Sequence, residues 1–262
     1  MKNARMTDAI LRFAVLFATV AFIRDFIPSG LAQHTSPEAS PAAAATPPVL
    51  KGFPFTNESL AYTVEWPSGL SLGEGHLSAT SDQGNWNFEL TLDASLAGFA
   101  VKDTYTSSAS SELCFTSLSK DSVHGSKKTK ETVTFDKQNA VATRHSNYGG
   151  DTGGTTKIQV MDCAHDALTY LFYARRELGQ GRVPPAQEII FGALYNASLV
   201  YAGAETIDVN GKHILTDKMV CHIKGPASDF LFDAYFDRDP ARTPVSIRVP
   251  LPVGKLSLEI VR

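Results

Sequence analysis

Apolar and polar residues alternate along most of the chain after residue 60. In residues 60–66 every even position is apolar or aromatic, while the odd positions include Thr63 and Glu65. The same period of two recurs in residues 85–92, 230–236 and 255–260. Such alternation predicts half-buried strands, and sheets with one solvated face are antiparallel.

A hairpin is predicted where Asn210 and Gly211 separate residues 206–209 from residues 212–215. Both turn residues tolerate a positive φ, as a two-residue hairpin requires. Counting all alternating segments gives about ten strands, enough for a sheet to curl or close. We therefore expect a mainly β fold, with a strongly curved antiparallel sheet or a partly open β-barrel.

One segment, residues 163–176, has a helical period. Ala164, Ala167, Leu168 and Leu171 recur at spacings of three and four, which predicts an amphipathic helix packed on the sheet. Asp162 is the expected N-cap. The helix would cover the concave side of the sheet.

The N-terminal residues have the pattern of an export signal. A basic start precedes the apolar run 13–23, and Gly30 and Ala32 occupy the small-residue positions read by a signal peptidase. We expect a signal peptide at 1–32, and the alternative is an uncleaved membrane-associated helix. The Pro/Ala-rich residues 33–52 would form a tether, followed by a single β-rich domain at 53–262 and no transmembrane span in the mature form. The expected location is periplasmic or secreted.

Charge and cysteine content narrow the class of partner. The chain has 24 basic and 27 acidic residues, and removal of four basic and two acidic ones with residues 1–32 leaves 20 against 25. This acidic balance argues against nucleic-acid binding. The lysines in segment 127–130 are typical of a protected edge strand. Three cysteines, Cys114, Cys163 and Cys221, permit one disulfide and leave an odd thiol, for which a place in the core is expected.

No catalytic, metal or cofactor motif stands out. Cys163 and His165 lie near the carboxylates Asp162 and Asp166, but adjacency in sequence is a weak sign of a nucleophile and its base. Capping and solvation explain these residues adequately. The candidate ligand-binding residues are Arg175, in the predicted helix, and Arg242, in a polar turn.

The body of the chain, about residues 55–262, resembles an exported bacterial family called domain of unknown function 3108. The resemblance rests on the first strand with its following glycines, the helix and a late strand pair, at Leu60, Tyr62, Val64, Trp66, Gly73, Gly75, Asp162, Ala167, Leu168, Tyr170, Leu171, Arg175, Asp237, Arg242, Pro244 and Val245. It implies an envelope protein with a curved antiparallel sheet crossed by a helix, a shape similar to periplasmic lipoprotein carriers. It implies no established activity, so no catalytic residues are carried over.

Three functions compete at this point. The leading hypothesis is a non-catalytic protein that binds a lipid or another apolar or amphiphilic envelope molecule within the curved sheet. The second is a structural or interaction module with an envelope protein partner. The third is a hydrolase that uses His165 or His213 with a carboxylate.

Overall fold

The structure is a computed structural model that describes residues 46–48, 56–96, 99–148, 153–226, 228–252 and 254–262. The predicted signal peptide lies outside these residues, as does the predicted tether apart from Thr46, Pro47 and Pro48. Within the described ranges, no helix combines the length and the apolar character that crossing a bilayer requires.

The described chain forms fifteen strands and the helix α1, Ala167–Gly179. The strands are β1 Glu58–Glu65, β2 Ser71–Asp82, β3 Asn85–Leu96, β4 Phe99–Ala109, β5 Phe115–His124, β6 Lys127–Asp136, β7 Val141–Asn147, β8 Gly154–Gln159, β9 His165–Asp166, β10 Gln187–Ile190, β11 Leu194–Val209, β12 Lys212–Lys224, β13 Asp229–Asp237, β14 Pro244–Leu251 and β15 Gly254–Ile260.

All fifteen strands belong to one sheet, in the order β8-β7-β6-β5-β4-β3-β2-β1-β15-β14-β13-β12-β11-β10-β9. Two meanders, β1–β8 and β10–β15, are joined where Tyr62 of β1 pairs with Ile260 of β15. The strand pairs are antiparallel except β9 with β10, where His165 pairs in parallel with Ile189. The predicted mainly β fold with one helix is therefore confirmed in its coarse form.

The predicted count of ten strands is wrong for the described chain. The count relied on apolar alternation, and several strands between residues 115 and 159 lack it. β6 buries Glu131 on its inner face, and β8 has no buried residue. Of the predicted edge lysines, Lys130 is not at an edge, because it pairs with both β5 and β7, whereas Lys127 and Lys128 pair with β5 alone. Lys127, Lys128 and Lys130 are exposed.

The helix begins four residues later than predicted. Asp166, not Asp162, is its N-cap, because the Asp166 carboxylate accepts hydrogen bonds from the backbone N–H groups of Leu168 and Thr169. The Thr169 hydroxyl lies 2.8 Å from the Asp166 backbone nitrogen, which completes a capping box. The backbone carbonyl of Ala164 instead accepts a hydrogen bond from the Phe115 N–H, so the residues before the N-cap are held by the sheet rather than by the helix.

A disulfide joins Cys114, just before β5, to Cys163, just before β9. Next to it, the Ser107 hydroxyl of β4 donates to the Asp166 carboxylate. The edge strand β9 is thus fastened to β4 and to the start of β5, which holds the sheet in a curved shape. Cys221 of β12 keeps a free, buried thiol, as expected for the odd cysteine.

Helix α1 lies across the inner face of the sheet and contacts both meanders. Phe172 stacks on Phe88 of β3 with ring centroids 4.2 Å apart, and Leu178 belongs to a buried cluster with Met219 of β12 and Phe236 of β13. Because α1 covers apolar side chains from both meanders, its position determines the shape of the interior.

Candidate functional site

A cavity of about 200 Å³ lies between α1 and the inner face of the sheet. From the helix, Leu168, Tyr170, Leu171 and Ala174 contribute to its wall. Every second residue of a strand faces inward, so the alternating apolar residues of the sheet supply the rest of the wall. They are Tyr62, Leu77, Leu90, Tyr105 and Leu118 from β1–β5, and Ile189, Phe191, Tyr195, Leu199, Cys221, Ile223, Phe230, Phe232, Ala234, Phe236, Pro244, Ile247 and Leu258 from the second meander and its loops. This wall is almost wholly hydrocarbon and aromatic.

Few polar side-chain atoms reach this wall. The Tyr62 hydroxyl donates to the backbone carbonyl of Pro244 at 2.8 Å. The Tyr170 hydroxyl is buried without a hydrogen bond to any described residue. Burial raises the pKa of Cys221 to about 12, so its thiol stays protonated at neutral pH and is a poor nucleophile.

A cluster of charged side chains lies on the inner face of β4–β7, beside the cavity. Its members, here called the inner polar cluster, are Asp103, Lys120, His124, Glu131 and Arg144. Asp103 belongs to β4, Lys120 and His124 to β5, Glu131 to β6 and Arg144 to β7. Asp103, Lys120 and Glu131 are each at most 4% exposed. Charged residues are seldom buried so deeply without a partner.

The carboxylates of this cluster each have a partner. Glu131 accepts a hydrogen bond from Arg144 at 2.5 Å, and Arg144 also donates to the Tyr148 hydroxyl at 3.0 Å. The His124 Nε2 lies 2.9 Å from an Asp103 carboxylate oxygen. The other carboxylate oxygen of Glu131 and the Nε of Arg144 have no hydrogen bond to a described residue. The cluster is thus only partly satisfied.

Lys120 differs from the rest of the cluster. Its ammonium lies 5.6 Å from the ring centroid of Tyr105 and 5.4 Å from that of Phe191, over the two aromatic rings. Burial lowers the pKa of Lys120 to about 8, against the opposing effects of Glu131 and Asp103. At pH 7 the side chain is therefore still a cation inside the protein.

The two arginines predicted to bind ligand are both fully buried, and neither lines the cavity. Arg175 forms an ion pair with Glu58 of β1 and donates from Nε to the carbonyl of Ala241 at 3.0 Å. Its guanidinium also lies 4.7 Å from the ring centroid of Phe172. Arg175 therefore fastens α1 to the sheet, and its role as a ligand contact stays a prediction.

Arg242 forms an ion pair with Asp217 of β12 and donates to the carbonyl of Pro48 at 2.6 Å. Arg238 binds the same carboxylate at 2.7 Å. Burial by itself would raise the pKa of Asp217, but the hydrogen bonds from Arg242 and Arg238 outweigh it and hold that pKa below its ordinary value. Arg242 thus holds part of the N-terminal segment on the body. Ligand binding by Arg242 also stays a prediction.

Comparisons with known proteins agree with this architecture. A family model described as a protein of unknown function (DUF3108) matches residues 61–261. The chain belongs to the DUF3108 family. The resemblance seen in the sequence is therefore confirmed, and a search of curated proteins finds no match.

A solved structure also resembles this DUF3108 protein in fold. It is the crystal structure of a beta-barrel-like protein of domain of unknown function DUF1849 from Brucella abortus. The match covers 80% of this chain and 98% of that chain, with a TM-score of 0.56 and 6% sequence identity. At this identity the likeness concerns the fold alone, and it supports a curved, barrel-like sheet.

The residues considered for hydrolysis in this DUF3108 protein are not arranged as a nucleophile and its base. Cys163 is in the disulfide, and the His165 ring packs against Tyr173 with centroids 4.7 Å apart. Burial, with a smaller effect from Arg176, lowers the pKa of His165 to about 4, so the ring is neutral at pH 7. His213 is exposed, 3.6 Å from Asp208.

Metal binding finds no support in the described ranges. There, no three or more His, Cys, Asp or Glu side chains are grouped so that they could hold an ion.

Sequence reasoning missed the inner polar cluster. A signal was present in β5, where Leu118, Lys120 and Ser122 alternate and a lysine occupies a position of the inward-facing register. Only the pairing of Lys120 with Tyr105 on one side and with Glu131 on the other shows that this position is buried.

Proposed function

We propose that this protein is a non-catalytic binding protein that holds an apolar or amphiphilic small molecule of the cell envelope between α1 and the curved sheet. The observation that supports this best is the apolar-walled cavity of about 200 Å³. Ligand sites are concave and mostly apolar, with a few polar groups that orient the ligand. Export by the predicted signal peptide at 1–32 is part of the proposal.

The size of the cavity restricts the ligand. An apolar cavity of about 150 Å³ is large enough to bind benzene, whereas pockets for drug-sized ligands usually exceed about 300 Å³. By comparison with the cavity that binds benzene, the space accepts an alkyl or acyl segment of roughly six to eight carbons. A single chain of this length fits, and a longer chain would extend out of the cavity.

The binding energy would come from removing that chain from water. Each buried methylene contributes about 0.8 kcal/mol, so a chain of this length supplies several kcal/mol before the loss of translational freedom is subtracted. A binding free energy of only several kcal/mol favours reversible, carrier-like binding.

The test is native mass spectrometry of the exported protein, followed by solvent extraction of the bound molecule. We expect a small-molecule adduct on the wild type and its loss in Ala174→Leu, because Ala174 lines the cavity and the larger side chain fills it. Ala204→Leu, at an exposed position of β11, is the matched control and should keep the adduct. An empty wild-type protein that also takes up no added alkyl ligand would overturn the proposal. Cross-linking of such an empty protein to a stoichiometric envelope partner would favour an interaction module instead.

A further inference from the structure

Lys120 is buried as a cation that forms no direct ion pair or hydrogen bond with a described residue, although Glu131 and Asp103 lie near enough to act on it. It is 4% exposed, and its ammonium makes no hydrogen bond or ion pair with any residue in the described ranges. The two aromatic rings offset part of the desolvation, since a cation over an aromatic face gains about 0.5–2 kcal/mol. Moving a charge out of water costs more than this unless a counter-charge is present.

Both nearby carboxylates already contact another group, although one oxygen of Glu131 has no hydrogen bond to a described residue. Glu131 is bound by Arg144, and Asp103 is in contact with His124. The charges of Glu131 and Arg144 offset one another. The Lys120 ammonium, by contrast, donates no hydrogen bond to a described residue, so its donors are free for a ligand. The Nε of Arg144 is a second unused donor in the same cluster.

Lys120 does not itself line the apolar cavity, but its ammonium lies beside two aromatic rings that do. Leu118, two residues before Lys120 on the same face of β5, lines that cavity, and so do Tyr105 and Phe191, the two rings next to the ammonium. An alkyl chain in the cavity that reaches these two rings would therefore bring its terminal group towards Lys120.

We propose that Lys120 binds the anionic head group of the amphiphile whose chain occupies the cavity. This inference rests on the proposed function and specifies the ligand as a single-chain amphiphile with an acidic head, such as a carboxylate or a phosphate. The inner polar cluster is the head-group site, and the apolar wall is the chain site.

The neighbouring carboxylates refine the choice of head group. Asp103 and Glu131 both act on Lys120 and repel any anion placed beside it. A phosphate monoester carries up to two negative charges at neutral pH, so it costs more to desolvate at a buried site than a carboxylate, which carries one. A fatty acid is therefore the expected class, and an alkyl phosphate should bind less tightly.

Isothermal titration calorimetry at pH 7 with octanoate, octyl phosphate, 1-octanol and octylamine tests the head-group site. The wild-type protein should bind octanoate at least tenfold more tightly than 1-octanol and octylamine, and more tightly than octyl phosphate. Tighter binding of octyl phosphate would identify a phosphate as the head group and would overturn the choice of a fatty acid.

The matched variants are Lys120→Met and Lys130→Met. Lys120→Met should weaken octanoate binding tenfold or more and leave 1-octanol binding unchanged. Lys130→Met removes an exposed lysine from the neighbouring strand and should change neither affinity. The carboxyl ¹³C chemical shift of labelled octanoate should move on binding to the wild type and much less on binding to Lys120→Met.

The outcomes separate the two proposals. Equal affinity of the wild type for octanoate and 1-octanol overturns the head-group assignment and leaves the binding function standing. This comparison uses only the wild-type protein, so it tests the head-group assignment even if Lys120→Met does not fold. Failure of all four ligands to bind overturns the proposed function and the head-group site together.

Discussion

Two regions of the interior bury their side chains to the same extent but differ in chemistry. On the inner face of β12 and β13, Cys221 and Phe236 are no more than 5% exposed, and on the inner face of β4–β6 the same holds for Asp103, Lys120 and Glu131. The apolar region stabilises the fold through burial. We expect the polar region to cost stability, since its charges are only partly compensated. Such a cost beside a cavity is typical of a site used for binding.

The largest effect should come from breaking the disulfide that fastens β9 to the start of β5, next to the polar region. Replacing Cys114 and Cys163 together by serine should lower the free energy of unfolding by about 4 kcal/mol, because the bridge closes a loop with a sequence separation of 49 residues. Urea unfolding measures this loss. Cys221→Ala, which leaves the bridge intact, is the control and should lose less. A double variant as stable as the wild type would show that the hydrogen bonds around Asp166 suffice to hold β9 in place.

The second effect tests the cost of the polar region directly. Lys120→Met should raise the free energy of unfolding at pH 7 by up to roughly 3 kcal/mol, because the variant removes a buried cation whose pKa is lowered from 10.5 to about 8. The unfolded chain keeps this proton up to about pH 10.5, whereas the folded protein releases it near pH 8. The folded state therefore binds fewer protons between these values, and the stability of the wild type rises with pH there.

Urea unfolding of both proteins at pH 7 and pH 9.5 measures this difference. The advantage of Lys120→Met should be largest at pH 7 and should shrink at pH 9.5. Lys130→Met, an exposed change, should stay within about 0.5 kcal/mol of the wild type at both pH values. A Lys120→Met variant that is less stable than the wild type at pH 7 would mean that the polar region stabilises the fold.

The third and smallest effect on stability concerns the start of α1, where Asp166 also contacts Ser107 of β4. Asp166→Ala should cost about 1–2 kcal/mol, because it leaves the Leu168 and Thr169 N–H groups without their acceptor. Asp162→Ala, at an exposed position, should change the free energy of unfolding by less than about 0.5 kcal/mol. Thermal unfolding followed by circular dichroism compares them, and equal losses would argue against Asp166 as the N-cap.

The difference between the regions also explains what the sequence could reveal. The strand predicted from residues 230–236 and the hairpin at Asn210–Gly211 are present as β13 and the β11–β12 turn. Their inner positions are apolar, so alternation marks them. In β5 and β6 the inner positions include Lys120 and Glu131, so the same structure gives no apolar period.

Long-range partners account for the remaining errors. The start of α1 was misplaced because residues 163–166 are held by Phe115 and by β10, which are distant in sequence. The ligand-binding role of Arg175 and Arg242 stays a prediction, and their ion pairs with Glu58 and Asp217 follow only from the folded sheet. The head-group site likewise needs the register of β4, β5 and β6.

The free thiol of Cys221 makes the interior experimentally accessible. The other two cysteines are in the disulfide, and Cys221 lines the cavity, so a thiol reagent modifies one defined place in the wall. Because the thiol is buried and protonated, its modification at neutral pH depends on transient local opening. The labelling rate of the native protein therefore reports how often the interior opens. A bound molecule that holds α1 against the sheet should slow this labelling.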